Sequence, residues 1–184
     1  MTRDVRSVSV EVEGAAAELN QKPITGAVLA GLMGSYSDSV NMVNAPFLAR
    51  ERGLDVREIR HEREGDYHTL VAVTVGTADG EWRVAGTLFG NKAPRLVDIF
   101  GVGVEAELAG AMLYIVNSDE PGFIGKLGTA LGEAGINIAT FNLGRRSEGG
   151  EAVALVAVDE EVPASVVKQL CALPGVREVV PLQF

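Results

Sequence analysis

The order of apolar runs between Ala111 and Phe184 constrains the fold of this chain more than any other feature. AMLYIV (111–116) is continuously apolar, as a strand buried on both faces would be. Asn117, Ser118 and Asp119 interrupt it. Pro121-Gly122 then opens a segment in which Ile124, Leu127, Leu131 and Ala134 recur at helical spacing, until Gly135 stops it. INIATFNL (136–143) reads as a strand, Glu148–Gly150 as a turn, and AVALVAV (152–158) as a second buried strand. Pro163 opens another helix with Val166, Val167, Leu170 and Leu173 on one face; Pro174-Gly175 ends it, and VREVVPLQF (176–184) is the last strand. This order, βαββαβ, predicts a four-stranded antiparallel sheet with two helices on one face. The other sheet face and an edge strand need cover, and a second copy of the chain is the expected cover.

The first half also mixes strands and helices. VRSVSVEV (5–12) alternates apolar and polar residues as a half-buried strand does. Helical patches follow at about 23–33 and 45–52, with Pro23 and Pro46 in their first turns and Gly53 as the stop of the second. Strands are then expected at 55–62, 68–75, 81–89, 94–100 and near 103–108, with turns at Asp79-Gly80 and Asn91-Lys92. The fold class is therefore α+β, with a sheet-plus-helices domain over 1–109 and a ferredoxin-like βαββαβ domain over 110–184.

Composition excludes several functions. The 184 residues carry a net charge of −9, which argues against binding to nucleic acid or to an anionic membrane. No apolar run approaches the roughly 20 residues of a membrane span, and the amino terminus shows no secretory pattern, so a cytoplasmic location is expected. The single cysteine, Cys171, forms no internal disulfide and cannot by itself hold a cluster or structural zinc; its apolar helical context predicts a small buried hydrophobe. The two histidines, His61 and His68, belong to no HExxH, CxxC or triad pattern, so no catalytic residue, metal ligand set or resident cofactor is legible. Gly101-Val102-Gly103 superficially fits a dinucleotide loop, but no helix of useful length follows, so a turn between strands is expected. Arg50, Arg52, Arg57, Arg60 and Arg63 alternate with Glu51, Asp55, Glu58, Glu62 and Glu64, the pattern of a solvated surface of mixed charge.

One segment has the chemistry of a binding site. Asn117-Ser118-Asp119-Glu120-Pro121-Gly122 joins the end of a central strand to a helix amino terminus, where free N–H groups favour a carboxylate. Asp119 can accept from an ammonium, Asn117 can donate and accept, and Gly122 lets a ligand approach the backbone. That set suits a free amino acid; the competing reading makes Asp119 or Ser118 a helix cap and Gly122 a turn residue. Asn137 lies beyond the same helix, which at about 14 residues would be roughly 20 Å long. Asn117 and Asn137 can thus touch one ligand only if they come from two copies, and a ligand held that way biases one arrangement of the pair.

NSDEPGFIGKLGTALGEAGINIATFNLGR, with its following strand, helix and PGV ending, resembles an ACT domain, and more narrowly the one at the carboxyl end of D-3-phosphoglycerate dehydrogenase. VRSVSVEVEG, NMVNAPFLARERGL and VAGTLFGNKAPRLVDIFGVGVEAEL resemble the intervening, allosteric substrate-binding domain of the long form of that enzyme. The resemblance implies L-serine as effector at an ACT dimer interface, with Asn117, Asp119, Pro121, Gly122 and Asn137 at its binding positions. It implies a homodimer or tetramer built through both domains. It also implies a parent enzyme of serine synthesis whose NAD-binding domain and catalytic histidine and acid lie outside residues like these, so the chain on its own is expected to be no enzyme. Arg95 matches one basic position of an anion site in the intervening domain, and Lys92 is a second nearby cation; Val102 and Glu107 stand where further basic residues would be. Two other readings remain open: the regulatory part of a bacterial L-serine dehydratase, and an ACT module that only assembles.

Overall fold

The computed structural model describes residues 4–34, 37, 39–61, 65–108 and 110–184. Glu62, Arg63 and Glu64 of the mixed-charge run lie outside the described residues. The chain divides into two compact units, Met1–Pro94 and Arg95–Phe184.

In the first unit, β1 (Val5–Gly14), β2 (Asp55–His61), β3 (Thr69–Thr77) and β4 (Gly80–Phe89) lie in the order β2-β1-β3-β4. β1 runs parallel to β2 and antiparallel to β3. Two helices, α1 (Gln21–Gly34) and α2 (Ala45–Glu51), join β1 to β2, and a 3-10 turn at Ala15–Glu18, absent from the sequence reading, precedes α1. The alternation of β1 does what its period requires: Val8 and Val10 are fully buried and pack with Leu29, Met33, Ala45 and Ala49 of the helices. α1 begins at Gln21, ahead of Pro23, because the buried Gln21 amide donates to the Val10 carbonyl at 2.8 Å and ties the helix start to β1. α2 ends as its glycine predicts. Gly53 takes φ +72°, its N–H reaches Arg50 O, and Leu54 N–H reaches Ala49 O, which closes the helix so that β2 starts at once.

In the second unit, β5 (Ala93–Ile99, whose first residues close the first unit) pairs antiparallel with β6 (Val102–Glu107). Gly101, at φ +79°, makes the turn between them, and Val102 continues as strand. The GxGxxG-like residues therefore open no helix. A four-stranded sheet follows, with β7 (Ala111–Ser118), β8 (Ile138–Arg145), β9 (Glu151–Val158) and β10 (Val176–Gln183) in the order β10-β7-β9-β8. All three pairings are antiparallel. Helices α3 (Phe123–Glu133) and α4 (Ala164–Cys171) cover one face, where Leu113, Ile115, Ala154 and Val156 meet Phe123, Leu127, Leu131, Val166 and Leu170. This is the expected βαββαβ arrangement.

Four details correct the sequence reading. The buried face of α3 is Phe123–Leu127–Leu131, whereas Ile124 is 54% exposed and Ala134 is also exposed. Ile124 sits about 60° around the helix from Leu127, at the open end, where the sheet no longer covers it. β8 starts at Ile138 rather than Ile136, because the Ile136 N–H closes α3 on Leu131 O and the Gly135 N–H closes it on Gly132 O. Cys171 is exposed rather than buried. It follows Leu170 by about 100° on α4, and the core face of that helix is already filled by Val166 and Leu170. Finally, the sheet face away from the helices does not wait for a second copy. Met112, Val116, Val153 and Leu155 on it are buried within this chain, and β6 lies against it at β8. Among the described residues, β8 and β10 are the edges of this sheet.

Candidate functional site

Asn117 and Arg145 both pair with Ala152, one from β7 and the other from β8. Residues paired across a ladder share a face, so the register of β9 sets Asn117, Ala152 and Arg145 side by side beneath the start of α3. The loop after β7 then carries Asp119 to the same spot, pinned by the Asp119 N–H on Gly150 O at 2.9 Å and the Ser118 N–H on Gly175 O at 2.8 Å. The result is a groove of about 510 Å³ lined by Asn117, Asp119, Gly122, Ile124, Leu143 and Arg145 among others.

Each polar group there has a defined state. The Asp119 carboxylate accepts on Oδ2 from Arg145 Nη1 at 2.9 Å and from the Gly149 N–H at 3.1 Å. The Arg145 hydrogen bond, with help from the Gly149 N–H, holds its pKa below the ordinary 3.8, so it is a carboxylate at neutral pH. Asn117 is 2% exposed; its Nδ2 donates to Ser118 O at 2.8 Å, while its Oδ1 is buried without a hydrogen-bond partner among the described residues. A buried acceptor in that state costs free energy until a donor arrives. The N-cap of α3 is Gly122, at φ +90°, and no side chain caps the helix. Neither Asp119 nor Ser118 is therefore the cap, and the first-turn N–H groups of α3 stay available to an anion. A Cβ at Gly122 would meet nothing within 4 Å, so its backbone conformation requires glycine while the space above it is open. The groove thus combines acceptors (Asn117 Oδ1, Asp119) with donors (the α3 amino end, Arg145), and has an apolar wall of Ile124 and of Leu143, which is 41% exposed.

Of the residues singled out from sequence, Asn117, Asp119, Pro121 and Gly122 come together in this groove. Asn137 does not line it. It lies beyond the far end of α3, 11 residues or about 16 Å of helix away, and its Nδ2 donates to Asp159 Oδ2 at 2.7 Å. Arg145 and Gly149 were not singled out. Their signal was the tight turn between β8 and β9, which sets Arg145 opposite Ala152 and so at the level of Asn117. Arg95 is cross-strand partner to Glu107 and binds its Oε2 at 2.7 Å, so its guanidinium is engaged by that carboxylate. Lys92 is exposed in the turn before β5.

Because the Asp119 pKa is depressed by folding, the ion pair contributes stability that is complete above pH 3.8 and is lost as pH falls through the lower folded value. Asp119→Asn is therefore expected to flatten the acid limb of a stability–pH curve below pH 4, measured by urea denaturation, and to leave its slope between pH 6 and 8 unchanged.

A βαββαβ sheet with an uncapped helix start and an unfilled acceptor at the end of its first strand is an arrangement of the ACT type, and residues 111–175 match the ACT domain model. Residues 1–100 match the model for the D-3-phosphoglycerate dehydrogenase intervening domain, and the chain belongs to that family. It is 34% identical to D-3-phosphoglycerate dehydrogenase of Bacillus subtilis over 97% of this chain and 34% of that protein. The same enzyme of Methanocaldococcus jannaschii is 31% identical over 95% of this chain and 33% of its own length. That of Mycobacterium bovis is 36% identical over 87% and 31%. The chain thus spans about a third of the length of these relatives. A homoserine dehydrogenase structure from Thiobacillus denitrificans aligns with a TM-score of 0.31 at 13% identity, over 62% of this chain and 33% of that one, a likeness too slight to carry any argument. No helix among the described residues is long and apolar enough to cross a membrane.

Proposed function

We propose that this chain is the regulatory part of a D-3-phosphoglycerate dehydrogenase, with an intervening domain over 1–109 and an ACT domain over 110–184 that binds L-serine. The observation that carries the reading is the buried, unpartnered Asn117 Oδ1 beside the Asp119 carboxylate and the uncapped start of α3. In the bound state the ammonium of serine donates to Asn117 Oδ1 and Asp119, and its carboxylate accepts from the first-turn N–H groups of α3 and from Arg145.

Asn137 supplies its contact from a second copy. The geometry supports this through the separation of Asn137 from Asn117 along α3, and through the open edge strand β8, on which Leu143 is exposed. Two equivalent ligands, related by the two-fold axis, then sit at the interface of a homodimer, and the intervening domain extends the assembly toward a tetramer. Serine favours the paired arrangement over the free one by its differential affinity, which is what an effector needs in order to act on a distant catalytic centre. That centre, with its NAD, belongs to the catalytic part of the parent enzyme, in the cytoplasm, and this chain alone carries no dehydrogenase activity.

Titration calorimetry on the purified chain is the test. Saturable heat is expected with L-serine at one ligand per chain, weaker heat with D-serine, and loss of binding in Asn137→Ala without loss of fold. No heat at millimolar L-serine sinks the serine reading, and retention of full affinity in Asn137→Ala sinks the two-copy site.

A further inference from the structure

Among the described residues one other cluster has ligand chemistry, and it belongs to the first unit. Glu11, Glu13 and His61 present one oxygen or nitrogen each, all within 4.8 Å of one another. The register of the sheet brings them together. β1 and β2 run parallel with Glu13 opposite His61 and Glu11 opposite Ile59. Residues two apart share a strand face, so Glu11 and Glu13 project on one side, opposite to the buried Val10 and Val12, and His61 joins them from the neighbouring strand. Both glutamates are half-buried. An ideal Cβ on Gly65 would lie 2.9 Å from Glu13 Oε2, so the chain passes close to that carboxylate where only a glycine fits without displacing it.

We propose that Glu11, Glu13 and His61 form a binding site for a first-row divalent cation, with Zn²⁺ the ion best matched by the donor set. Two partly desolvated carboxylates held side by side repel each other, and a divalent ion turns that repulsion into attraction. His61 Nε2 lies 3.6 Å from Glu11 Oε2. Ligands bound to Zn²⁺ at their usual lengths in a tetrahedron stand about 3.4 Å apart, so side-chain rotation alone closes the site. One imidazole and two carboxylates leave a position for water and select Zn²⁺ over Mg²⁺ or Ca²⁺, which take oxygen ligands in larger number. The ion would bridge β1 to β2. Because β2 is the edge strand of the order β2-β1-β3-β4, with a neighbour on one side only, such a bridge would stabilise the first unit in proportion to the free ion concentration. No sequence motif announces the site, because its ligands come from two strands nearly fifty residues apart.

The experiment is calorimetry of the tag-free, metal-stripped full chain with ZnCl₂ and separately with MgCl₂, together with thermal melts. One Zn²⁺ per chain and a raised Tm are expected, with Mg²⁺ producing neither. Glu13→Gln and His61→Gln should each weaken Zn²⁺ binding at least about tenfold while the metal-free circular dichroism stays that of the parent. Glu11→Gln is the second carboxylate variant, should Glu13→Gln fail to fold. His68→Gln and Cys171→Ser, at the other histidine and the exposed thiol, should leave the affinity unchanged. The proposal is overturned by absence of heat at millimolar Zn²⁺, by binding that follows His68 or Cys171 instead, or by Mg²⁺ binding as well as Zn²⁺.

Discussion

Asp119→Ala is expected to weaken the proposed L-serine binding by roughly 100-fold in calorimetry and to abolish the rise in Tm expected of the unmutated chain with serine. The size follows from the contact removed: a charge-assisted hydrogen bond to an ammonium is roughly twice as strong as one between neutral groups. The change also removes the partner that holds Arg145, whose Nη1 is 2.9 Å from Asp119 Oδ2, so a truncation disturbs a second ligand contact as well as deleting the first. Asp119→Asn separates these effects, because it keeps the shape and removes only the charge. A two-copy site makes a sharper demand. Asp119→Ala and Asn137→Ala homodimers should each bind poorly, whereas a mixed dimer holds one intact site made of Asp119 from one copy and Asn137 from the other. Mixing the two variants in equal amounts with free exchange of subunits is therefore expected to restore about a quarter of the wild-type binding capacity. If the mixture stays silent while both variants dimerise, the shared site is wrong even where serine binds.

Gly144→Ala should destabilise the chain by about 2–3 kcal/mol in urea denaturation. A Cβ at Gly144 on β8 would fall on the Gly103 carbonyl oxygen and come within 2.8 Å of Val102 Cγ1 on β6. A backbone carbonyl cannot rotate aside as a side-chain tip can, so the two strands must separate. That separation would expose apolar residues beneath β6 and loosen the neighbouring contacts of Arg146 with the Phe100 carbonyl and of Phe100 with Tyr114, whose rings meet edge to face at 6.1 Å. Gly132→Ala is the contrasting control. It lies inside α3, where a Cβ meets nothing within 4 Å, and replacing a helical glycine by alanine should stabilise by about 0.5–1 kcal/mol. A neutral Gly144→Ala would mean that β6 does not lie against β8 as described. It would also reopen the question of what covers the sheet face away from the helices.

The sequence by itself determined the element order, the turn glycines and most of the groove. Apolar runs such as AVALVAV can be satisfied only by burial on both faces, so β7 and β9 had to be central, and the glycines of left-handed φ at 53, 122 and 135 fell where helices start or stop. Asn117, Asp119, Pro121 and Gly122 were legible because a polar break between a buried strand and a helix is local and short. What is set by register between distant segments was not legible. Arg145 reaches Asp119 through a shared partner on β9, His61 meets Glu13 through a parallel pairing, and β6 lies against β8 through a glycine that has no side chain to read. Exposure of Ile124 and Cys171 was likewise decided by which face of each helix the sheet covers. Periodicity fixes which residues share a face; only the tertiary structure decides what, if anything, lies against that face.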